Sequence, residues 1–214
     1  MKSISTDSKQ VFAHPLLDRL SRCHPILPAI LWVPVAVLLF VMGVRYSISI
    51  VMLGGLFASG LFLWTLAEYI LHRWIFHFEF KNPTIQKLWY PVHMLHHDIV
   101  ERDRLVAPPL MSVPLFFVFL GLFYVWPGIP YMLPLFSGFI VGYLAYDYVH
   151  YYTHFVRATS SVGKGLRKRH MQHHYGFPDK WYGISSPFWD YVFRTSVRDG
   201  ERGRQRADEE SATT

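Results

Sequence analysis

Four long apolar runs constrain this chain more than any other feature of its sequence. They cover about residues 27–44, 48–72, 110–126 and 131–150 of the 214. A helix that crosses a bilayer needs roughly 20 mostly apolar residues. Inside the bilayer its backbone polar groups must be hydrogen-bonded within the protein, because lipid offers them no partner. The runs therefore predict an all-α integral membrane protein with four transmembrane helices.

The four runs fall into two pairs with very short connections. A few residues around 45–47 join the first two, and the string PGIP joins the last two. Each pair is therefore predicted to be a helical hairpin. The composition agrees with a bilayer location, since charged residues make up 17% of the chain, against about 25% in soluble domains.

Basic residues lie before the first run, between the hairpins and after the fourth run. The three clusters are Lys2, Lys9, Arg19 and Arg22; Arg73, Lys81, Lys87, Arg102 and Arg104; and Arg157, Lys164, Arg167, Lys168 and Arg169. Positive residues favour the cytoplasmic side of a membrane, so both termini and the segment between the hairpins are predicted to be cytosolic. The net charge of +6 is explained by basic residues that set the topology and contact anionic lipid head groups. Nucleic acid is therefore not expected as a partner.

The chain then divides into three parts. Residues 1–26 form a cytosolic or interfacial segment, 27–198 form the membrane domain, and 199–214 form a charged tail predicted to be disordered. Within the membrane domain, 73–109 and 151–198 are predicted to build a helical cap on the cytosolic face. Cys23 is the single cysteine, which excludes a disulfide framework and a thiolate metal site.

Histidine is concentrated in and around this cap. Ten of the twelve histidines form four groups: His72 and His77; His93, His96 and His97; His150 and His154; and His170, His173 and His174. Positions i, i+3 and i+4 share one face of a helix, so three of the groups aim their imidazoles at one point each. The step from His72 to His77 does not fit a helix face. Either the helix ends between them, or the two histidines serve different ions.

Ten imidazoles are too many for a single metal ion. Zinc usually takes four ligands and iron up to six, with positions left open in catalytic sites. The count therefore predicts two ions with about five imidazoles each. The carboxylate-rich pattern of four-helix di-iron proteins, with its Glu-x-x-His motifs, is absent. Imidazole suits both iron and zinc.

Three acidic residues lie close to the histidines in sequence. Glu68 precedes His72 by four residues, Asp147 precedes His150 by three, and Asp98 follows the second group directly. A metal-binding histidine usually donates its other ring N–H to such a group, so the acids are predicted to orient imidazoles. The alternative is an ordinary polar contact between helices.

Five strings of this chain resemble a known family, the membrane fatty acid hydroxylases related to sterol desaturases. They are EYILHRWIFHF, HMLHHDIVERDRLVAPP, YDYVHYYTHF, LRKRHMQHHY and YGISSPFWDYVF, and they run from about Glu68 to Phe193. The resemblance is greatest to the fatty acid 2-hydroxylases. It implies a four-span enzyme that oxidises an acyl chain at carbon 2 with O2. It also implies that all ten histidines bind two metal ions, with iron in the active enzyme and zinc possible in a purified sample.

Eukaryotic members of that family often carry a cytochrome b5 domain before the membrane part. The N-terminal segment here is too short for one, so electrons are expected from a separate carrier of the cytochrome b5 or ferredoxin type with its reductase. Fatty acid, acyl-CoA and ceramide all present the same acyl chain and remain equal candidates for the substrate.

Other functions use similar features. A membrane desaturase, a sterol oxidase or a carotenoid hydroxylase would use the same metals. A metal transporter or a metal-stabilised membrane scaffold would need no substrate chain. A transporter is disfavoured because the predicted spans carry no ionisable ligand near their midpoints.

Overall fold

The structure, a computed structural model, describes residues 12–200 apart from 13, 126–127 and 199. Its α-helices are α1 (Pro15–Leu20), α2 (Leu27–Val44), α3 (Ile50–Ile70), α4 (Pro83–Trp89), α5 (Met94–Asp98), α6 (Pro109–Tyr124), α7 (Ile129–Phe155), α8 (Ser161–Tyr175) and α9 (Phe188–Val192). A π-helix, Leu71–Phe76, continues α3, and a 3₁₀-helix, Tyr90–Val92, precedes α5. The described residues contain no strand, so the prediction of an all-helical protein is confirmed. The predicted disordered tail lies outside the described residues except for residue 200.

Three helices among the described residues are long and apolar enough to cross a membrane. They are α2, the continuous helix Ile50–Phe76, and α7. The predicted third span is shorter, because α6 has 16 residues, just below the roughly 17–25 of a typical span. Pro108, in an extended conformation, precedes its first residue, and the helix ends at Tyr124. Three of the four predicted spans are thus found at full length.

Helices α2 and α6 carry large apolar side chains on their outer faces. Val37 is 57% exposed on α2, and Phe117 and Val118 are 62% and 59% exposed on α6. Exposed apolar surface of this extent is unusual in a soluble monomer. These faces are suited to contact with lipid.

Helix α7 lies at the centre of the bundle, and glycines bring its backbone against α3. A Cβ atom at Gly60 would lie 1.9 Å from the carbonyl oxygen of Leu135. One at Gly138 would lie 2.0 Å from the carbonyl oxygen of Phe57. Small residues allow membrane helices to approach closely, since packing rather than water exclusion holds them together in lipid. The resulting contact fixes the two helices that carry His72 and His150.

A network of charged side chains ties α1 to the loop before α6. The Arg104 guanidinium, whose side chain is 2% exposed, lies 2.7 Å from an Asp18 oxygen and 3.0 Å from a Glu101 oxygen. Arg22 adds contacts to Asp18 and to Asp103, at 3.2 and 2.8 Å. Buried charges of this kind are stable only when paired. The network therefore sets the path of the loop toward α6.

The predicted topology has a direct test. In a Cys23→Ala background, single cysteines introduced at the exposed positions Ser161 and Asn82 should react with a membrane-impermeant thiol reagent from the same, cytosolic side. Ser47, exposed in the turn between α2 and α3, is the control and should react only from the other side. Labelling of Ser161 and Asn82 from opposite sides would contradict the prediction.

Candidate metal centre

The helix that begins at Ile50 changes its winding where it delivers the first histidines. From Leu71 to Phe76 it is a π-helix, and His77 is its C-cap residue. Hydrogen bonds in a π-helix join residues i and i+5, so positions five apart lie nearly above one another. The rings of His72 and His77 are consequently close, with centroids 5.1 Å apart. The helix does end between the two residues, but the wider turn also brings both rings to one place.

The ten histidines gather into two groups of five. The first group is His72, His77, His93, His97 and His173, and the second is His96, His150, His154, His170 and His174. In each group, one ring nitrogen per residue lies within 4.8 Å of all the others. Nitrogen ligands on opposite sides of one ion are about 4 Å apart. Each group therefore has the dimensions of a site for a single metal ion.

The two His-x-x-His-His motifs do not each point at one ion. His93 and His97, one helical turn apart, belong to the first group, whereas His96 belongs to the second. In α8 the division is reversed, with His173 in the first group and His170 and His174 in the second. The two groups adjoin, since the rings of His97 and His174 stack with centroids 4.0 Å apart. Each motif therefore contributes to both groups.

Backbone carbonyl groups fix the orientation of three rings. Nδ1 of His72 lies 2.6 Å from the Tyr182 oxygen, and Nδ1 of His173 lies 2.7 Å from the Lys180 oxygen. Nδ1 of His96 contacts the His93 oxygen. A carbonyl oxygen only accepts hydrogen bonds, so each Nδ1 carries the proton and donates it. Nε2 is then left with its lone pair free for a metal ion.

Within each group, Nε2 atoms of different histidines face one another rather than hydrogen-bond donors. Those of His72, His96 and His150 are buried and have no hydrogen-bond partner among the described residues. The Nε2 atoms of His173 and His77 lie 3.1 Å apart. Leaving a buried acceptor unpaired costs about 1–3 kcal/mol. A metal ion would satisfy these lone pairs, so the donor set fits one ion in each group.

Burial keeps these imidazoles neutral. It lowers the pKa of His77 to about 4, and burial together with the neighbouring His77 lowers the pKa of His173 to about 3. The pKa values of His93 and His170 are held well below the usual range, first by burial and then by adjacent imidazoles. A ligand must be deprotonated to bind a metal. The histidines are thus in the required form at neutral pH.

The three acidic residues are hydrogen-bonded to groups other than imidazoles. Oε1 of Glu68 accepts the N–H groups of Ile184 and Ser185 at 2.5 and 2.8 Å, and its Oε2 accepts the Ser185 hydroxyl. Asp147 accepts the Ala107 N–H at 3.1 Å, and Asp98 accepts the Tyr90 hydroxyl. The direct bond expected between Glu68 and His72 is replaced by the bond from His72 to the Tyr182 carbonyl. Sequence reasoning missed that carbonyl, because no residue type marks a backbone acceptor.

A cavity of about 280 Å³ extends from the histidines into the helix bundle. His93 of the first group and His96 and His150 of the second lie in its wall. The rest of the wall is mainly apolar and includes Trp32, Trp64, Leu115, Phe116, Phe119, Phe136, Phe139 and Ile140. From His150 to Phe136 the rise along α7 is about 20 Å, at 1.5 Å per residue. The cavity is therefore long, apolar and open to both histidine groups.

Known proteins are similar to this chain both in sequence and in fold. Residues 57–195, which include all ten histidines, match the fatty acid hydroxylase family. The chain is 36% identical over 168 residues to a dihydroceramide fatty acyl 2-hydroxylase of Arabidopsis thaliana, an alignment covering 78% of this chain and 70% of that enzyme. It is 35% identical over 160 residues to the fatty acid 2-hydroxylase of Rattus norvegicus, covering 67% of this chain and 40% of that protein.

A solved structure extends the likeness to three dimensions. The hydroxylase domain of full-length scs7p superposes with a TM-score of 0.80 at 30% identity, covering 85% of this chain and 70% of that one. The family match spans well over half of the 214 residues. The chain therefore belongs to the fatty acid hydroxylase family, and it is an oxidoreductase.

Proposed function

We propose that this membrane enzyme hydroxylates carbon 2 of a fatty acyl chain, using O2 and two metal ions held by the ten histidines. The observation that carries the proposal is the long apolar cavity whose wall includes histidines of both groups. A hydrocarbon chain in that cavity would have one carbon beside both ions. The relatives named as fatty acid 2-hydroxylases support the choice of carbon 2.

The shape of the cavity is consistent with reaction near the head of the substrate. The histidine end of the cavity lies near the loop 104–108, because Asp147, one turn before His150, accepts the Ala107 N–H at 3.1 Å. Phe136 and Phe139 line the cavity 14 and 11 residues before His150 on α7. A chain that enters with its methyl end first would fill the aromatic part with its tail. Its first carbons would then remain beside the histidines, while the head group stays near the loop.

The residues of the chain would bind and orient the reactants. The imidazoles would hold the ions, and His72 and His173 would do so through Nε2, because the carbonyl oxygens of Tyr182 and Lys180 accept their Nδ1 protons. The aromatic and aliphatic wall excludes water and holds the acyl chain by burying it, at about 0.8 kcal/mol per CH₂ group. When bound, the ions supply the redox chemistry that activates O2, and iron is the metal that suits this role.

The proposal includes partners that the reaction requires. Electrons come from a separate carrier of the cytochrome b5 or ferredoxin type with its reductase. The metal centre and both termini face the cytosol, where such a carrier is available. The acyl chain enters from the membrane as a fatty acid, an acyl-CoA or a ceramide.

Lipid analysis tests the reaction class. Cells with and without the protein are compared by mass spectrometry, and the expected product carries one added oxygen, located at carbon 2 by fragmentation. His96→Ala, which removes an imidazole at the cavity wall, should eliminate that product. Accumulation of a chain that has lost two hydrogens instead would identify a desaturase. No change in any lipid, from protein that contains metal and is supplied with reductant, would favour a non-catalytic scaffold.

Narrowing the cavity should change the chain length that the enzyme accepts. Leu115, on α6, lines the cavity, and Leu115→Trp would fill part of its apolar depth. We expect activity on long acyl chains to fall roughly 5- to 150-fold while shorter chains are retained, because overpacking costs about 1–3 kcal/mol and each step of about 1.4 kcal/mol is a factor of ten. The measurement is the product yield from a series of acyl chain lengths.

Val118 provides the matched control on the same helix. It is 59% exposed and does not line the cavity, so Val118→Trp adds an indole toward lipid. That variant should keep the chain-length profile of the natural protein. If Leu115→Trp also keeps it, the acyl chain does not occupy this cavity.

A further inference from the structure

One short segment, residues 180–185, supports two histidines of the same group. The Lys180 carbonyl accepts the Nδ1 proton of His173 at 2.7 Å, and the Tyr182 carbonyl accepts that of His72 at 2.6 Å. Both histidines belong to the first group and are 0% exposed. The direction in which their Nε2 lone pairs point therefore depends on the position of this segment.

The carboxylate of Asp190 accepts hydrogen bonds from the backbone of this segment. Oδ1 accepts the N–H of Tyr182 and Oδ2 accepts that of Gly183, each at 2.9 Å, and the Thr195 hydroxyl donates to Oδ1 at 2.7 Å. The side chain is 0% exposed. The packing is close, since a Cβ atom at Gly183 would lie 2.8 Å from Oδ2 and 2.1 Å from the Ser186 carbonyl. The peptide that presents the Tyr182 carbonyl is thus fixed by a buried carboxylate.

The second histidine group has no comparable support. Nδ1 of His170 and Nδ1 of His174 have no hydrogen-bond partner among the described residues. Four of its five members lie on the long helices α7 and α8, and the fifth, His96, donates to the His93 carbonyl. Among the described residues no hydrogen bond joins the second group to the segment 180–185, whereas two rings of the first group donate to its carbonyl oxygens. The two groups therefore differ in what orients them.

We propose that Asp190 is a positioning residue for the first group alone, so that it sets how firmly that group retains its metal ion and leaves the second group unaffected. The inference rests on the proposed binding of one ion to each group. Loss of a partner that orients a metal-binding imidazole typically lowers metal affinity 10–100-fold. Asp190 does not contact an imidazole itself. It accepts the N–H groups of Tyr182 and Gly183, which lie on either side of the carbonyl group that contacts His72.

The test is the metal content of Asp190→Asn. Asparagine keeps the shape of the side chain, but its NH₂ group cannot accept a hydrogen bond, so one of the N–H groups of Tyr182 and Gly183 loses its acceptor. The natural protein, purified in detergent with Fe²⁺ or Zn²⁺, should hold two ions per chain. Asp190→Asn should lose one of them to a chelator at least tenfold faster and keep the other at the natural rate.

Asp179 offers a matched control on the same loop. It is exposed, so Asp179→Asn removes one negative charge close to Lys180 without removing any buried acceptor. Its chelation kinetics should equal those of the natural protein. Equal acceleration in both variants would show that charge, rather than orientation of the segment, governs retention, and it would overturn the inference.

Two histidine variants identify which ion is released. His173→Ala weakens the first group and His170→Ala the second. Adding Asp190→Asn to His170→Ala should accelerate loss of the remaining ion, whereas adding it to His173→Ala should not change release of the remaining ion. Acceleration in both backgrounds would show that Asp190 supports the whole cap, and the proposal would be wrong.

The result also separates this inference from the proposed function. Fewer than two ions in the natural protein would contradict the dimetal centre itself. Two ions, with release from Asp190→Asn unchanged, would contradict only the role of Asp190. If Asp190→Asn does not accumulate in membranes, Thr195→Val decides. It removes the hydroxyl that orients Oδ1 and should accelerate release of the same ion, though by less, and unchanged release would overturn the proposal.

Discussion

Replacement of His173 by alanine is expected to give a membrane-inserted protein that has lost most of one metal ion and nearly all hydroxylated product. His173 is 0% exposed, and its Nε2 lies 3.1 Å from that of His77. Removing a supporting group around a metal site costs 10–100-fold in affinity or activity, so losing a ligand should cost at least about 100-fold. Insertion should persist, because apolar residues of the spans drive it.

His14→Ala is the matched control, since His14 is exposed and lies outside both groups. It should retain metal and activity. Both variants are measured for membrane yield, metal-to-protein ratio and hydroxylated lipid in cells. Full metal occupancy and normal product from His173→Ala would remove this residue from the site and weaken the proposal that all ten histidines bind metal.

Substitution of Gly138 by alanine should destabilise the bundle strongly, although only one methyl group is added. That methyl carbon would lie 2.0 Å from the Phe57 carbonyl oxygen, and a backbone atom cannot rotate away as a side chain can. The two helices must separate, at a cost on the order of 3 kcal/mol, the upper end of the usual range for overpacking. For a protein of this size that lowers the Tm by roughly 10 °C. Metal content should fall as well, since the shift displaces His72 relative to His150.

Gly55, on α3, serves as the control for Gly138. A Cβ atom there meets nothing within 4 Å, so Gly55→Ala adds the same methyl group in open space. Alanine favours a helix over glycine by about 1 kcal/mol, so this variant should be neutral or slightly stabilised. Thermal unfolding in detergent compares the two. Equal Tm values would show that the close approach of α3 and α7 contributes little.

Much of the fold followed from simple patterns. Apolar runs predicted α2, α3 and α7 because lipid demands long helices with internally paired backbones. The helical spacing within His-x-x-His-His predicted clustering, and the number of histidines predicted two groups of five. The length of α6 was less predictable, because an apolar run does not reveal where Pro108 and Tyr124 set the ends of the helix.

The features that sequence reasoning missed depend on backbone geometry and on distant packing. The π-helix of Leu71–Phe76 reconciles a spacing of five that an α-helix could not. The carbonyls of Lys180 and Tyr182 carry no identity that a sequence pattern could mark. Glu68 was expected to orient its neighbour His72, but it holds Ile184, 116 positions away. Proximity in sequence was a poor guide to the partner of a buried carboxylate.

The division of each histidine motif between two groups has a consequence for assembly. His77 and His173 belong to the same group although they lie 96 positions apart, so an ion bound there joins the first hairpin to the last long helix. A disulfide that closes a loop of about 100 residues lowers the entropy of the unfolded chain and so stabilises the folded state by roughly 4–5 kcal/mol. A single cysteine cannot form a disulfide within this chain, but a bound ion would crosslink it in a similar way. Synthesis from the N-terminus leaves the group incomplete until α8 has emerged, so an ion held by all five histidines would be loaded late and would join helices that are already inserted.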